Sequence, residues 1–226
     1  MTVTGNMGEL GSINSLYILD RAGKVIRHYL GPTNSIYEPA SVPMMIRGFD
    51  IVPGTKDQQP RIAVACISSL GLKASCLVTL DPNGSELSTY WHPGQIAWVK
   101  VASETDSAKP KIIVAAINNH LRNRFEGSEL TNVYCLFSLD PDHIGGEAPP
   151  YQPGRPRGTQ EWYLVFQPAG VPIHAPFFAD VNGDGKREIC LEVGASKVCL
   201  TFDGKLVINE RGDNSKAQVT VQRIAE

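Results

Sequence analysis

One short segment carries the side chains whose types and spacing best suit a chemical task. Residues 180–188 have the sequence DVNGDGKRE, which places Asp180, Asn182, Asp184 and Glu188 at alternating positions. The alternation directs every second side chain toward one centre, and the backbone carbonyl of Lys186 supplies the remaining ligand. Because hard cations such as Ca²⁺ take roughly six to eight oxygen ligands, the segment predicts one calcium site.

The spacing of this segment differs from that of an EF-hand. An EF-hand loop ends with a bidentate Glu at its twelfth position, where this chain has Leu191. The flanking runs are also typical of β-strands rather than of helices. An Asx-rich turn without a metal is the alternative interpretation.

The longer segment FFADVNGDGKREICLEV resembles the calcium loop of FG-GAP/VCBS-type repeats. These repeats occur in integrin-like β-propellers and in propeller-shaped lectins and polysaccharide-active proteins. The resemblance implies that the loop joins the first two strands of a blade and that its calcium is structural. Two earlier stretches, FDIVPGTKDQQPRI and WVKVASETDSAKPKI, lack the D-x-N-x-D-G pattern. We therefore expect calcium only in the last repeat.

The calcium loop favours an extracytoplasmic or secreted location, although the chain as given has no signal peptide.

The chain around this loop repeats. Four segments share an apolar run that ends in Asp, then a Gly-containing turn, then a second run with aromatic or branched residues. The marker residues are Asp20, Asp81, Asp140 and Asp203, at intervals of 61, 59 and 63 residues. A near-constant period with a hairpin in each unit predicts a repeat architecture.

Each repeat offers four short strands, here called a, b, c and d. The b runs, such as RIAVAC and KIIVAAI, are apolar on both faces and must be covered on both. The d runs, such as LSTYW, are more polar, as an outer edge should be. Four-stranded sheets packed around an axis satisfy both conditions. The pattern therefore predicts an all-β fold, a β-propeller of four-stranded blades.

The two ends of the chain are expected to complete one blade together. The C-terminal AQVTVQRI has the pattern of an a strand, and the N-terminal MTVTG can serve as b. This predicts a single domain of four blades, closed by pairing of the N- and C-terminal strands. The blades are roughly residues 217–226 with 1–31, then 44–92, 95–167 and 174–210. A fragment of a longer propeller and two packed sheets are the alternatives.

The Pro/Gly-rich residues 142–160 are expected to form a surface loop.

A binding surface is expected on one face of the propeller. The a–b and c–d turns emerge on the face that carries the calcium loop, and the longer b–c and d–a connections emerge on the other. Long loops on one side of a rigid scaffold are where binding usually resides. The candidate ligand-binding residues on that b–c/d–a face are Arg47, Gln95, Asn119, His120, Arg122, Arg124 and His174.

The cysteines are expected to be mainly structural. Cys66 and Cys76 fall in the b and c strands of one repeat, and Cys190 and Cys199 in those of another. Buried free thiols are the first interpretation, because neighbouring b and c strands need small apolar residues. Cross-strand disulfides are the alternative.

Composition and motifs narrow the functional classes. With 21 Lys+Arg against 23 Asp+Glu, the net charge of -2 disfavours nucleic acid and anionic membranes as partners. No apolar run is long enough to span a membrane. Nucleophile-elbow, zinc-protease and Walker motifs are absent from the sequence. We expect a non-enzymatic, calcium-stabilised binding module for a carbohydrate or protein partner. The alternatives are a lyase-like polysaccharide-active enzyme that uses His174 and Arg47 near the axis, and a purely structural module.

Overall fold

The computed structural model describes residues 2–7, 13–33, 36–37, 44–68, 74–119, 133–149, 154–167, 174–211 and 219–224. These residues form sixteen β-strands and no helix, which confirms the all-β prediction. Accordingly, none of the described segments is a helix long and apolar enough to cross a membrane.

The strands form four antiparallel units that follow the chain. Unit one contains β1 (Thr2–Met7), β2 (Ile13–Leu19) and β3 (Val25–Tyr29). Unit two contains β4 (Met44–Val52), β5 (Arg61–Ser68), β6 (Ser75–Leu80) and β7 (Glu86–His92). Unit three contains β8 (Gly94–Ala102), β9 (Lys111–Asn118), β10 (Val133–Leu139) and β11 (Gln160–Gln167). Unit four contains β12 (Phe177–Ala179), β13 (Glu188–Val193), β14 (Ser196–Leu200) and β15 (Leu206–Glu210). Units one and two are joined into one sheet by the single residue pair Ile13 and Ile46.

The turn between the c and d strands repeats most closely. In units one, two and four, a glycine with positive φ donates its N–H to the carbonyl three residues earlier. The acceptor and donor residues are Asp20 and Gly23, Asp81 and Gly84, and Thr201 and Gly204. Thr201, rather than the expected Asp203, is therefore the marker residue of unit four. Glycine is favoured at this place because other residues rarely adopt positive φ.

Three layers of buried apolar side chains lie between successive units. Between units one and two, Leu16 and Ile18 belong to the same cluster as Ile46 and Val64. The representative residues of the next layers are Ala65, Tyr90, Val114 and Phe137 between units two and three, and Ile113, Leu136, Leu191 and Phe202 between units three and four. Units two and three are thus covered on both faces, as their apolar b strands require. Each fully buried Val, Leu, Ile or Phe side chain in these layers contributes roughly 1.5–3 kcal/mol.

The C-terminal strand corrects one expectation. β16 (Thr220–Arg223) pairs with β11 of unit three, from Leu164 with Arg223 to Gln167 with Thr220, and not with β1. The reason lies in β11, which is buried along most of its length, whereas the d strand β3 is mostly exposed and the d strand β15 has no buried residue. An apolar outer strand needs a cover, and β16 provides it.

The insertion after β10 also differs from the expected surface loop. In its described part, Glu147 and Ala148 are buried, at 1% and 0% exposure. Trp91 at the end of β7 donates its N–H to Gly146 O (2.9 Å), and Ala148 donates to Trp91 O (2.8 Å). The insertion therefore extends the outer edge of unit two and links it to unit three.

The structure contains both a cross-strand disulfide and buried free thiols, the two interpretations of the cysteines. Cys190 and Cys199 form a disulfide between β13 and β14. Cys66, Cys76 and Cys135 are buried free thiols.

Candidate functional site

The a–b loop of unit four, residues 180–187, curls between β12 and β13. The carboxylate of Asp180 accepts hydrogen bonds from Gly183 N (2.7 Å) and Gly185 N (3.0 Å). Both glycines have positive φ, 78° and 83°, which other residues adopt with strain. The local sequence thus bends the chain around the Asp180 side chain.

Three further side chains face one another inside this curl. Asn182 Nδ2 donates to Asp184 Oδ2 (3.2 Å) and to Glu188 Oε1 (3.1 Å). The Glu188 side chain is buried, and its Oε2 accepts from Val181 N at 2.9 Å. Two carboxylates therefore share one amide donor, which partly offsets their mutual repulsion.

The donor set fits a hard cation. Asp180, Asn182, Asp184 and Glu188 offer carboxylate or amide oxygens, and Lys186 offers its backbone carbonyl. Among the described residues, no three acidic, His or Cys side chains converge as a ready-made metal cluster. Calcium would need the Asn182 amide to rotate, so that its oxygen replaces its nitrogen between the two carboxylates. That rotation gives up the hydrogen bond that Asn182 Oδ1 accepts from Asp184 N at 2.9 Å, which the bound ion would have to offset.

The a–b loops of the three complete units have equal lengths. The last paired residues on either side of the loop are Val52 and Arg61, Ala102 and Lys111, and Ala179 and Glu188. The ninth residue counted from the loop start is thus Arg61 in unit two, Lys111 in unit three and Glu188 in unit four.

These ninth residues give the loops opposite charges. Arg61 donates to Pro141 O (2.6 Å) and pairs with Asp142 (2.5 Å). Lys111 pairs with Glu161 at 3.0 Å. In units two and three the residue at this loop position is thus positively charged and paired with an acidic side chain, where unit four has a carboxylate. The calcium prediction therefore remains confined to the last unit.

Ion pairs attach the unit-four loop to unit three. Lys186 Nζ lies 3.0 Å from Glu104 Oε1, Arg187 pairs with Asp106, and Arg187 N donates to Glu104 O at 2.8 Å. Hydrogen bonding to Glu104 raises the pKa of Lys186. A cavity of about 540 Å³ lies beside these contacts, and Asp184 is among its lining residues.

Comparisons of the chain with protein-family models, curated proteins and solved structures find no match.

The candidate ligand-binding residues that the structure describes lie at the end opposite the calcium loop. Arg47 is exposed at a β-bulge of β4. Gln95 pairs with Ile117 on β9, and Asn119 N donates to Pro93 O (3.0 Å), so these two share one end of unit three. The side chain of His174 is exposed in unit four, and its backbone N–H donates to Glu192 O at 3.1 Å. The other three, His120, Arg122 and Arg124, lie outside the described residues.

A buried polar network, which the sequence did not predict, lies beneath this face. His92 Nε2 lies 3.0 Å from Tyr163 OH and 3.5 Å from Cys135 Sγ. Asn118 Nδ2 donates to Tyr163 OH and to Pro149 O, both at 2.8 Å. Burial raises the pKa of the Cys135 thiol to about 12. A thiol that stays protonated is a poor nucleophile, so the network is structural. Its members come from five different segments, and no local spacing connects them.

Proposed function

We propose that this chain is a calcium-stabilised, non-enzymatic β-propeller of FG-GAP/VCBS type. It binds a carbohydrate or a protein partner through its b–c/d–a face. The observation that carries the proposal is the contrast between the two ends of the molecule. One end is crossed by ion pairs between units, and the other exposes polar side chains.

The propeller part of the proposal is supported by the order of the units. The four antiparallel units follow one another in chain order, and successive units share three buried apolar clusters. The a strands β4 and β8 of units two and three also lie next to each other. Blades around an axis bring their a strands together in this way.

The choice of face is supported by the use of charges. On the a–b/c–d face, Arg61 bonds to the c–d turn of unit three, and the unit-four loop bonds to Glu104 and Asp106. Those charges are committed to joining units. Arg47 and His174 on the b–c/d–a face have exposed side chains and are available to a ligand.

The non-enzymatic part is supported by the buried Cys135 and His92 pair. Its thiol lies beside an imidazole, and both side chains are wholly buried. A substrate would have no access to them.

Labelled protein on glycan and protein arrays, in millimolar calcium, tests the proposal. The double variant Arg47→Ala with His174→Ala should lose binding while melting like wild type, because exposed residues outside the core usually cost below about 0.5 kcal/mol. Arg21→Ala, an exposed arginine in the c–d turn of unit one, is the matched control and should bind normally. Loss of binding in Arg21→Ala alone would place the ligand on the a–b/c–d face and contradict the proposal. Release of unsaturated uronates from acidic polysaccharides would favour the lyase instead.

A further inference from the structure

Unit two holds three sulfur atoms at one place in its core. Cys66 of β5 and Cys76 of β6 are directly paired residues of neighbouring strands. The Sγ atom of Cys76 lies 3.8 Å from the Sδ atom of Met44 on β4. All three side chains are at most 3% exposed. Burial and the neighbouring Cys66 thiol raise the pKa of the Cys76 thiol.

The two cysteines of unit two are free thiols at a hydrogen-bonded position of the strand ladder. Ser68 N donates to Ala74 O at 2.9 Å, so these residues form a hydrogen-bonded pair. Two residues along, Cys66 and Cys76 form the next hydrogen-bonded pair, where Cα atoms are about 5.5 Å apart. The disulfide of unit four joins Cα atoms only 4.1 Å apart, as in a non-hydrogen-bonded pair. Of the two cross-strand pairs only that of unit four is oxidised, so both thiols of unit two remain available as ligands.

We propose that Cys66, Cys76 and Met44 bind one soft monovalent metal ion, Cu(I) or Ag(I). Two thiolates and a thioether are ligands that soft ions select. Metal–sulfur bonds are about 2.3 Å long, so an ion in the plane of three sulfurs holds them about 4 Å apart. The 3.8 Å between Cys76 and Met44 agrees with that spacing.

Binding at this site involves deprotonation and no redox step. Each thiol releases its proton to solvent, two metal–thiolate bonds form, and the ion keeps its oxidation state. The bound site carries one negative charge, which is unfavourable in a core. That charge favours ions with the strongest bonds to sulfur and disfavours calcium, which prefers oxygen. The chain at Gly31 closes over the site, since a Cβ there would lie 3.6 Å from Cys66 Sγ.

The test is metal uptake by the full chain under anaerobic conditions. Protein refolded from urea with Cu(I) bicinchoninate should withdraw one Cu(I) per chain from the chelator. Refolding removes any limit set by slow entry into the core. X-ray absorption at the copper edge should show sulfur neighbours only. Uptake should strengthen as pH rises, because two thiol protons are released.

Variants separate a metal site from ordinary core sulfur. Cys66→Ser should weaken Cu(I) binding by about tenfold or more, and so should Met44→Leu, which preserves volume and fold. Cys135→Ser is the matched control, because that buried thiol faces Ala116 rather than a second cysteine. It should still bind one Cu(I). A wild-type chain that takes no copper overturns the proposal. Equal binding by wild type, Cys66→Ser and Met44→Leu overturns it as well.

Discussion

At the scale of single residues, charge at one position distinguishes the three a–b loops. Arg61 and Lys111 supply a built-in cation in units two and three, whereas Glu188 in unit four shares an amide donor with Asp184. An amide hydrogen carries only a partial charge, so two carboxylates around it remain undercompensated. A divalent cation at that point would remove the imbalance.

The first prediction removes one carboxylate from this loop. Asp184→Ala should abolish the rise in melting temperature that millimolar calcium gives the wild type. Asp57→Ala changes the residue at the same loop position in unit two and should leave the rise intact. Thermal melts of the three proteins with calcium and with chelator measure this. A calcium response that survives Asp184→Ala would show that the ion binds elsewhere.

A second residue-scale prediction concerns the c–d turn of unit three. Burial alone raises the pKa of Asp140, but hydrogen bonds from Lys109, from Asp142 N and from His143 outweigh it and lower the pKa to about 2. A lowered pKa contributes stability above the unfolded value of about 3.9, which is lost as the pH falls toward 2. Lys109→Met should therefore cost roughly 1 kcal/mol at neutral pH, because Lys109 is half exposed and screened by solvent.

Urea unfolding at several pH values checks this. The stability difference between wild type and Lys109→Met should shrink between about pH 4 and pH 2. The exposed Lys56→Met serves as control and should show no such convergence. A difference that stays constant down to pH 2 would assign the cost to lost packing instead.

The sequence was sufficient to predict the features whose contacts are local. The Asp180 curl and the turn glycines follow from residue types at fixed spacing, because their contacts lie within a few positions. The burial of Glu147 and the His92 network could not be found this way. Their partners come from distant segments, and sequence spacing contains no information about such contacts.

At the scale of elements, the composition of each d strand determines whether that strand can form the outer edge of its unit. The longest apolar run in β3, β7 and β15 has three residues, whereas β11, with the sequence QEWYLVFQ, contains the five-residue run WYLVF. That difference is visible in the sequence. It predicts an additional neighbour for β11, whereas the similarity of AQVTVQRI to an a strand favoured pairing with the N-terminus. The need to cover an apolar edge is stronger than strand resemblance.

The element-scale prediction tests this cover. Val221 of β16 packs against the core between units three and four, and Gln222 is exposed. Val221→Asp should release β16, lower the melting temperature and promote association through the freed edge of β11. Gln222→Asp adds the same charge on the exposed side and should behave like wild type. Melting and light scattering of both variants measure this, and equal behaviour would mean that β16 contributes nothing to the edge.

At the scale of the whole molecule, each unit is coupled to its neighbours by a shared core. Ile113 and Leu136 of unit three belong to the same buried cluster as Leu191 and Phe202 of unit four. Gly204 also leaves room for Trp162, whose ring a Cβ would approach to 2.8 Å. Units coupled in this way should not unfold one at a time. An ion bound in one loop therefore affects the entire fold.

The last prediction gives this coupling a size. A calcium site of extracellular type has a dissociation constant of about 10⁻⁴ to 10⁻³ M, and ligand at about 100 times that value stabilises a fold by roughly 2.7 kcal/mol. Because Lys186 and Arg187 fix the loop to unit three, chelation should shift one cooperative transition to lower temperature. Calorimetry with excess chelator and with calcium measures both the shift and the number of transitions. Two separated transitions in chelator would mean that unit four unfolds alone. Identical melts would reduce residues 180–188 to a turn.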